Sequence, residues 1–125
     1  MHGTGTSLGD PIEVGALKKV FDGVERAVPL ILSSSKSWVG HAEPAAGING
    51  LLNVITAAQK HCTRPIMHLT SINPYIENLV SSEGVLGSGK GFALGMPREH
   101  SHLQNASSIV IGVSSFAFQG TNGHA

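Results

Sequence analysis

Apolar and polar positions along this chain fall into blocks of changing period, and each block predicts an element. Asp10, Pro11 and Glu13 open a helix over residues 11–21. Asp10 can cap it, Pro11 suits the first helical position, and Glu13 adds a carboxylate to the first turn. Gly23 closes it. Residues 28–33 are a short apolar run after a turn and predict a buried strand. Residues 43–61 carry the strongest helical pattern, with Ile48, Leu51, Leu52, Ile55 and Ala58 on one face and Asn49, Asn53, Thr56 and Lys60 on another. Gly47 and Gly50 leave that helix thin near its start, so another backbone can approach. A strand is predicted over 65–69, a loop region from Asn73-Pro74, a glycine- and serine-rich stretch over 81–91 and a short strand over 92–94. Residues 107–114 are β-branched and apolar and predict a strand. Residues 116–123 form a glycine-containing turn, and 122–125 read as the start of a further strand.

Composition changes this picture in one respect. Charged residues make up 13% of the 125 positions, about half the usual quarter, so much of the chain is expected to pack inside something larger. The histidine at position 2 has no preceding element to hold it, and the last strand stops as it begins. The chain is therefore expected to be a partial domain over residues 1–125. Net charge is zero and no basic stripe is visible, which gives nucleic-acid and membrane-surface partners no support. No apolar run approaches the roughly 18 residues of a membrane span. The single cysteine, Cys62, excludes an internal disulfide framework and fits a reducing, cytoplasmic setting.

Three segments carry candidate chemistry. The first is His2-Gly3-Thr4-Gly5-Thr6 followed by Gly9-Asp10-Pro11-Ile12-Glu13. Its glycines allow close approach to a ligand, and its two hydroxyls, one residue apart, can offer hydrogen bonds on the same side of an extended segment. A Gly/Thr loop leading into a capped helix explains the same residues. The second, running from Ser33 to His41 and on to Gly47, lies where a buried strand gives way to a helix. Lys36 and His41 flank a glycine turn there, and a helix N-terminus favours neutral imidazole as a donor. A solvated lysine and a capping histidine are the plain alternative. The third runs from Ser114 to Asn122 and can present backbone N–H groups to an anion, or be an ordinary hairpin loop.

Together the three segments resemble the β-ketoacyl synthases, the condensing enzymes of fatty acid and polyketide synthesis. HGTGT-x-x-GDP-x-E, K-S-x-x-GH-x-x-x-AAG and a form of FGFGGTN occur in order. The resemblance implies an α/β fold, the C-terminal half of a thiolase-like fold with a mixed sheet packed against helices. It implies a decarboxylative Claisen condensation of an acyl thioester with a malonyl-type thioester, and the motifs look more like a polyketide synthase. By resemblance, His2 and His41 donate to the enolate oxygen, and Lys36 orders the site, paired with Glu13. Thr4 and Thr6 grip the pantetheine arm. The Phe118 N–H is half of an oxyanion hole and its ring a gate, while Asp10 and Asn122 hold the loops. The substrates would ride on the phosphopantetheine of an acyl carrier protein, with no cofactor or metal bound by this segment. The expected partners are that carrier, the N-terminal half of the same domain and a second copy of the full domain.

Two features depart from the family pattern. Ala117 and Gln119 stand where glycine is usual. The nucleophilic cysteine lies upstream of HGTGT in the family, and Cys62, near the end of the long helix, cannot replace it. This chain alone is therefore expected to be inactive. A fatty acid synthase condensing enzyme, a non-catalytic partner subunit and a general thioester-binding or hydrolytic module are the rival readings. The run Gly84 to Gly91 approaches a phosphate-binding loop but has Gly91 where Ser or Thr should hold magnesium. His61, Cys62 and His68, or His100 and His102, lack the spacing of a four-ligand metal site.

Overall fold

The computed structural model describes residues 1–24, 26, 28–81, 93–103 and 109–125. The first helix, α1, spans Gly9–Phe21, two residues longer at its start than predicted. Asp10 lies inside the first turn rather than capping it. The first N–H is taken instead by Thr6, whose hydroxyl accepts from Gly9 at 2.9 Å. The predicted strand at 28–33 contracts to β1, Leu30–Ile31, which pairs in parallel with β3, Leu94–Gly95. Of the strand expected at 92–94, Phe92 falls outside the described residues.

A short helix, α2 (Lys36–Val39), leads through Gly40 to a 3₁₀ turn at Glu43–Ala45 and then to α3, Ala46–Lys60. His61 ends α3 in the left-handed conformation, its N–H donating to Ala57 and Ala58. The predicted long helix is thus present, but its apolar face is not the inner one. Ile48, Leu51, Leu52 and Ile55 are 43–63% exposed. The side turned to the rest of the chain carries Gly47 and Gly50. A Cβ on Gly47 would sit 3.6 Å from Ser115, and one on Gly50 would sit 3.0 Å from Val113. The two glycines let β5 (Ser114–Phe116) lie against the helix, the close approach the sequence predicts.

Two predictions fail here. The strand expected at 65–69 is a loop with a turn, closed by the Leu69 N–H on Ile66 O, and His68 has φ +63°. The strand lies just before it, β2 at Cys62–Thr63, antiparallel to β4 at Ser101–His102. Pro65 lacks the N–H that a continuing ladder would need. The loop expected from Asn73-Pro74 is a helix, α4, Pro74–Ser81. Asn73 accepts the Tyr75 N–H on its side chain at 3.0 Å, and Pro74 occupies the first turn, where its missing N–H costs nothing.

The strand predicted at 107–114 is displaced toward the C-terminus. Its ladder, β5, pairs antiparallel with β6, Asn122–His124, through a turn at 117–121, so the last residues are indeed strand. Residues 107 and 108 lie outside the described set. Where the chain is described, the sheets are three separate two-stranded pairs. The core is Val14, Leu32 and Ile76, wrapped by Leu17, Leu30, Ile72, Leu94 and Met96, so α1, β1, β3 and α4 close on one another and hold the residue 2–9 loop at their edge.

Candidate active site

His2 is held by its backbone. The carboxylate of Glu13, one turn into α1, accepts the N–H of His2 at 2.6 Å and of Gly3 at 3.0 Å. Glu13 and His2 are both buried, at 8% and 6% exposure. Gly3 has φ +58°, and a Cβ there would meet Ser34 at 2.9 Å, so only glycine fits beside that serine.

Lys36 reaches the same point from α2. That helix is fixed by Trp38, whose indole N–H donates to Pro65 O at 2.8 Å, and by Ser37, whose hydroxyl accepts the Met67 N–H at 3.1 Å. The Lys36 ammonium donates to the His2 carbonyl oxygen and lies 3.4 Å from His2 Nδ1. The expected Lys36–Glu13 pair is therefore indirect: Glu13 takes the N–H groups beside His2, and Lys36 takes its carbonyl. Burial pushes the Lys36 pKa down, against the pull of Glu13 and Asp10. His2 is also pushed down, first by burial and then by the Lys36 charge, with Glu13 opposing.

His41 follows Gly40, which turns the chain with φ +74°. Its ring lies edge-on to that of His2, with centroids 6.0 Å apart at 85°. The two histidines, separated by 38 intervening residues, are thus brought together with Lys36. They do not open equally: a cleft of about 700 Å³ is lined by Lys36 and His41, with Thr4, Thr6, Asp10 and Ile66 among its other walls. His2, beside them, is buried.

Thr4 and Thr6 stand at the cleft rim, exposed, with their hydroxyls 2.9 Å apart. Asp10 accepts the Gly5 N–H at 3.1 Å and the Thr4 hydroxyl at 3.2 Å. Gly9 explains itself here, because a Cβ would sit 2.5–2.6 Å from the two hydroxyl oxygens. The hydroxyls brace the turn and also line the cleft.

Phe118 lies apart from the histidines, at the tip of the β5–β6 hairpin, with its side chain fully exposed. The residue of that motif that meets them is Phe116. Its N–H lies 3.4 Å from His2 Nδ1, and its ring centroid lies 5.3 Å from that of His2. Asn122 faces Phe116 across the hairpin. His124, unremarkable in the sequence, packs edge-on against Phe116 at 5.4 Å. The alternation of β5 and β6 is the signal that finds both. The phosphate-loop-like run at 84–91 lies outside the described residues. No group of histidine, cysteine or carboxylate side chains able to hold a metal occurs among the described residues. No described helix is long and apolar enough to cross a membrane.

The chain belongs to the β-ketoacyl synthase family, whose C-terminal domain model matches residues 1–70. It is similar to polyketide synthases in particular. It is 41% identical over 125 residues to a phenolphthiocerol/phthiocerol polyketide synthase protein of Mycobacterium tuberculosis, across 98% of this chain and 8% of that one. It is 39% identical over 124 residues to a low-reducing polyketide synthase of Aspergillus calidoustus, across 98% of this chain and 5% of that one. Ketosynthase twelve from the bacillaene polyketide synthase of Bacillus amyloliquefaciens superposes with a TM-score of 0.79 and 30% identity, over 98% of this chain and 20% of that chain. The fold is accordingly α/β and thiolase-like, as the motifs imply. The chain spans a small part of the length of the relatives it matches.

Proposed function

We propose that this chain is the C-terminal part of a polyketide synthase ketosynthase domain, and that it supplies the enolate-stabilising side of a decarboxylative Claisen condensation. The observation that carries this reading is the meeting of His2, Lys36 and His41 beside a cleft rimmed by Thr4 and Thr6. An acyl carrier protein delivers a malonyl-type thioester, and Thr4 and Thr6 hold its pantetheine arm at the rim. As the carboxylate leaves as carbon dioxide, the electron pair it releases moves onto the thioester oxygen. His41, at the cleft wall, and His2, through the nitrogen not engaged by Lys36, donate to that oxygen as its charge grows.

Lys36 orders the pair from behind and keeps His2 a neutral donor. The enolate carbon then attacks the carbonyl of an acyl group held on cysteine, a carbon–carbon bond forms, and the cysteine sulfur departs as thiolate. That cysteine belongs to the N-terminal half of the domain. Cys62 is half-buried in β2, and the imidazole its sulfur meets, at 3.9 Å, is that of His100 rather than His2 or His41. Phe118 gates the acyl group from the hairpin tip, its N–H half of the oxyanion hole, and Asn122 steadies the hairpin. The segment binds no cofactor of its own, and the complete domain works as a cytoplasmic homodimer.

The test uses the complete domain containing these residues. His41→Ala should lower malonyl decarboxylation by about 10²–10³, the usual cost of one oxyanion-type donor, and Lys36→Ala should lower it as well. Loading of the acyl group onto cysteine should change little. Equal losses in both half-reactions by variants that keep the unaltered protein's denaturation midpoint would refute the assignment.

A further inference from the structure

We propose that Phe116 is a positioning residue for His2: its backbone N–H fixes the imidazole as the Nε2–H tautomer, and its ring holds the imidazole plane. Strand register decides where that N–H points. In an antiparallel pair, facing residues alternate between those that exchange hydrogen bonds and those that do not. Val113 and Ala125 exchange both bonds, at 2.7 and 3.0 Å, and the Ala117 N–H donates to Thr121 O at 2.9 Å. Phe116, facing Asn122, falls in the other class. Its N–H therefore points out of the hairpin rather than across it, and what it meets is His2 Nδ1, at 3.4 Å.

A backbone amide can only donate, so Nδ1 must accept, and the single ring proton of neutral His2 lies on Nε2. The Lys36 ammonium, also donor only, approaches the same Nδ1 at 3.4 Å. Two donors from different elements thus select one tautomer. The ring contributes separately. Phe116 lies between His2 at 5.3 Å and His124 at 5.4 Å, and His124 is itself 3.1 Å through Nδ1 from the Ser114 hydroxyl. The hairpin is a brace that leaves the Nε2 proton free to serve an oxygen. Its catalytic meaning rests on the proposed condensation, but the tautomer belongs to the resting protein.

The experiment is nitrogen NMR on the complete domain labelled with [15N]histidine, the His2 signals being assigned by their loss in His2→Gln. The unaltered protein should show a protonated Nε2 and an unprotonated Nδ1. Phenyllactate at position 116, an ester that removes the N–H and keeps the side chain, should give mixed tautomers and a roughly five- to tenfold slower decarboxylation, with acyl loading intact. Phe116→Pro removes the same N–H without costing a ladder bond and serves if the ester protein does not fold. Phe116→Leu, which keeps the N–H, should retain the tautomer. A Nδ1–H tautomer in the unaltered protein would overturn the proposal, and so would an unchanged tautomer when the N–H is gone, which would leave Lys36 alone in the role. A domain with the expected tautomer that fails to decarboxylate malonyl thioesters would refute the reaction and leave the positioning standing.

Discussion

Glu13 serves His2 through the main chain, and this makes it the most sensitive structural residue of the site. Glu13→Ala would leave one buried and one part-buried N–H group without acceptors, each costing about 1–3 kcal/mol, so the complete domain should lose about 2–6 kcal/mol in a urea titration. Glu13→Gln, which retains one carbonyl acceptor, should lose less. Protonation of His2 gives a second test. Its pKa is lowered in the folded state from the ordinary 6.5 by burial and by Lys36. In the window just below 6.5 the unfolded chain therefore binds more protons than the folded one, and stability rises with pH there. Acidification below 6.5 should destabilise the domain until folded His2 also protonates, and His2→Gln should flatten that slope. At this scale the histidines, Lys36 and the threonines are legible in the sequence because the chemistry needs those residue types at those spacings. Phe116 reads only as part of a turn, and His124 not at all, because the alternation that puts both on one face of the hairpin emerges only once residue 116 is read as strand, and the direction of the Phe116 N–H follows from that pairing.

At the scale of elements, glycine at the α3–β5 contact decides how the hairpin meets the histidines. A Gly50 Cβ would already stand 3.0 Å from Val113. Gly50→Leu should push β5 away, destabilise the complete domain by about 1–3 kcal/mol as overpacking does, and slow decarboxylation more than acyl loading by carrying Phe116 with it. Denaturation and the two half-reactions, measured on one preparation, check this together. The long helix and its thin end are readable from periodicity and from two glycines. The short strands lie a few residues from their predicted places, because ladders of two or three residues depend on partners distant in the chain. The α4 helix escapes the pattern for a different reason: Asn-Pro signals a turn and a helix start equally, and only the Tyr75 N–H on Asn73 shows which is used.

Over the whole molecule, the feature with most consequence is the apolar face of α3. Ile48 is 63% exposed and Leu52 57%, in a chain that is short of charge. Apolar patches of more than a few hundred Å² favour association, so the 125-residue chain on its own should sediment as oligomers and should not condense acyl and malonyl thioesters. Ile48→Lys with Leu52→Lys should shift it toward monomer with little change in its own stability, since exposed side chains are usually worth within about 0.5 kcal/mol. Loss of association without those changes, or a soluble monomer that turns over, would contradict this reading of the helix. An apolar stripe and a low charge content are both visible in the sequence. That the stripe faces outward is not, since periodicity reports that a helix has two faces and not which one its own chain covers.

The Glu13 clip has a practical meaning for building hybrid synthases. It ties residues 2 and 3 to α1 within a single short stretch of chain, so the histidine loop and the helix behind it travel as one inherited cassette. A crossover placed upstream of His2 hands that cassette over whole. A crossover between Gly3 and Glu13 grafts one parent's loop onto another parent's helix, and the cost of the graft then depends on whether the second parent offers a carboxylate at the same reach.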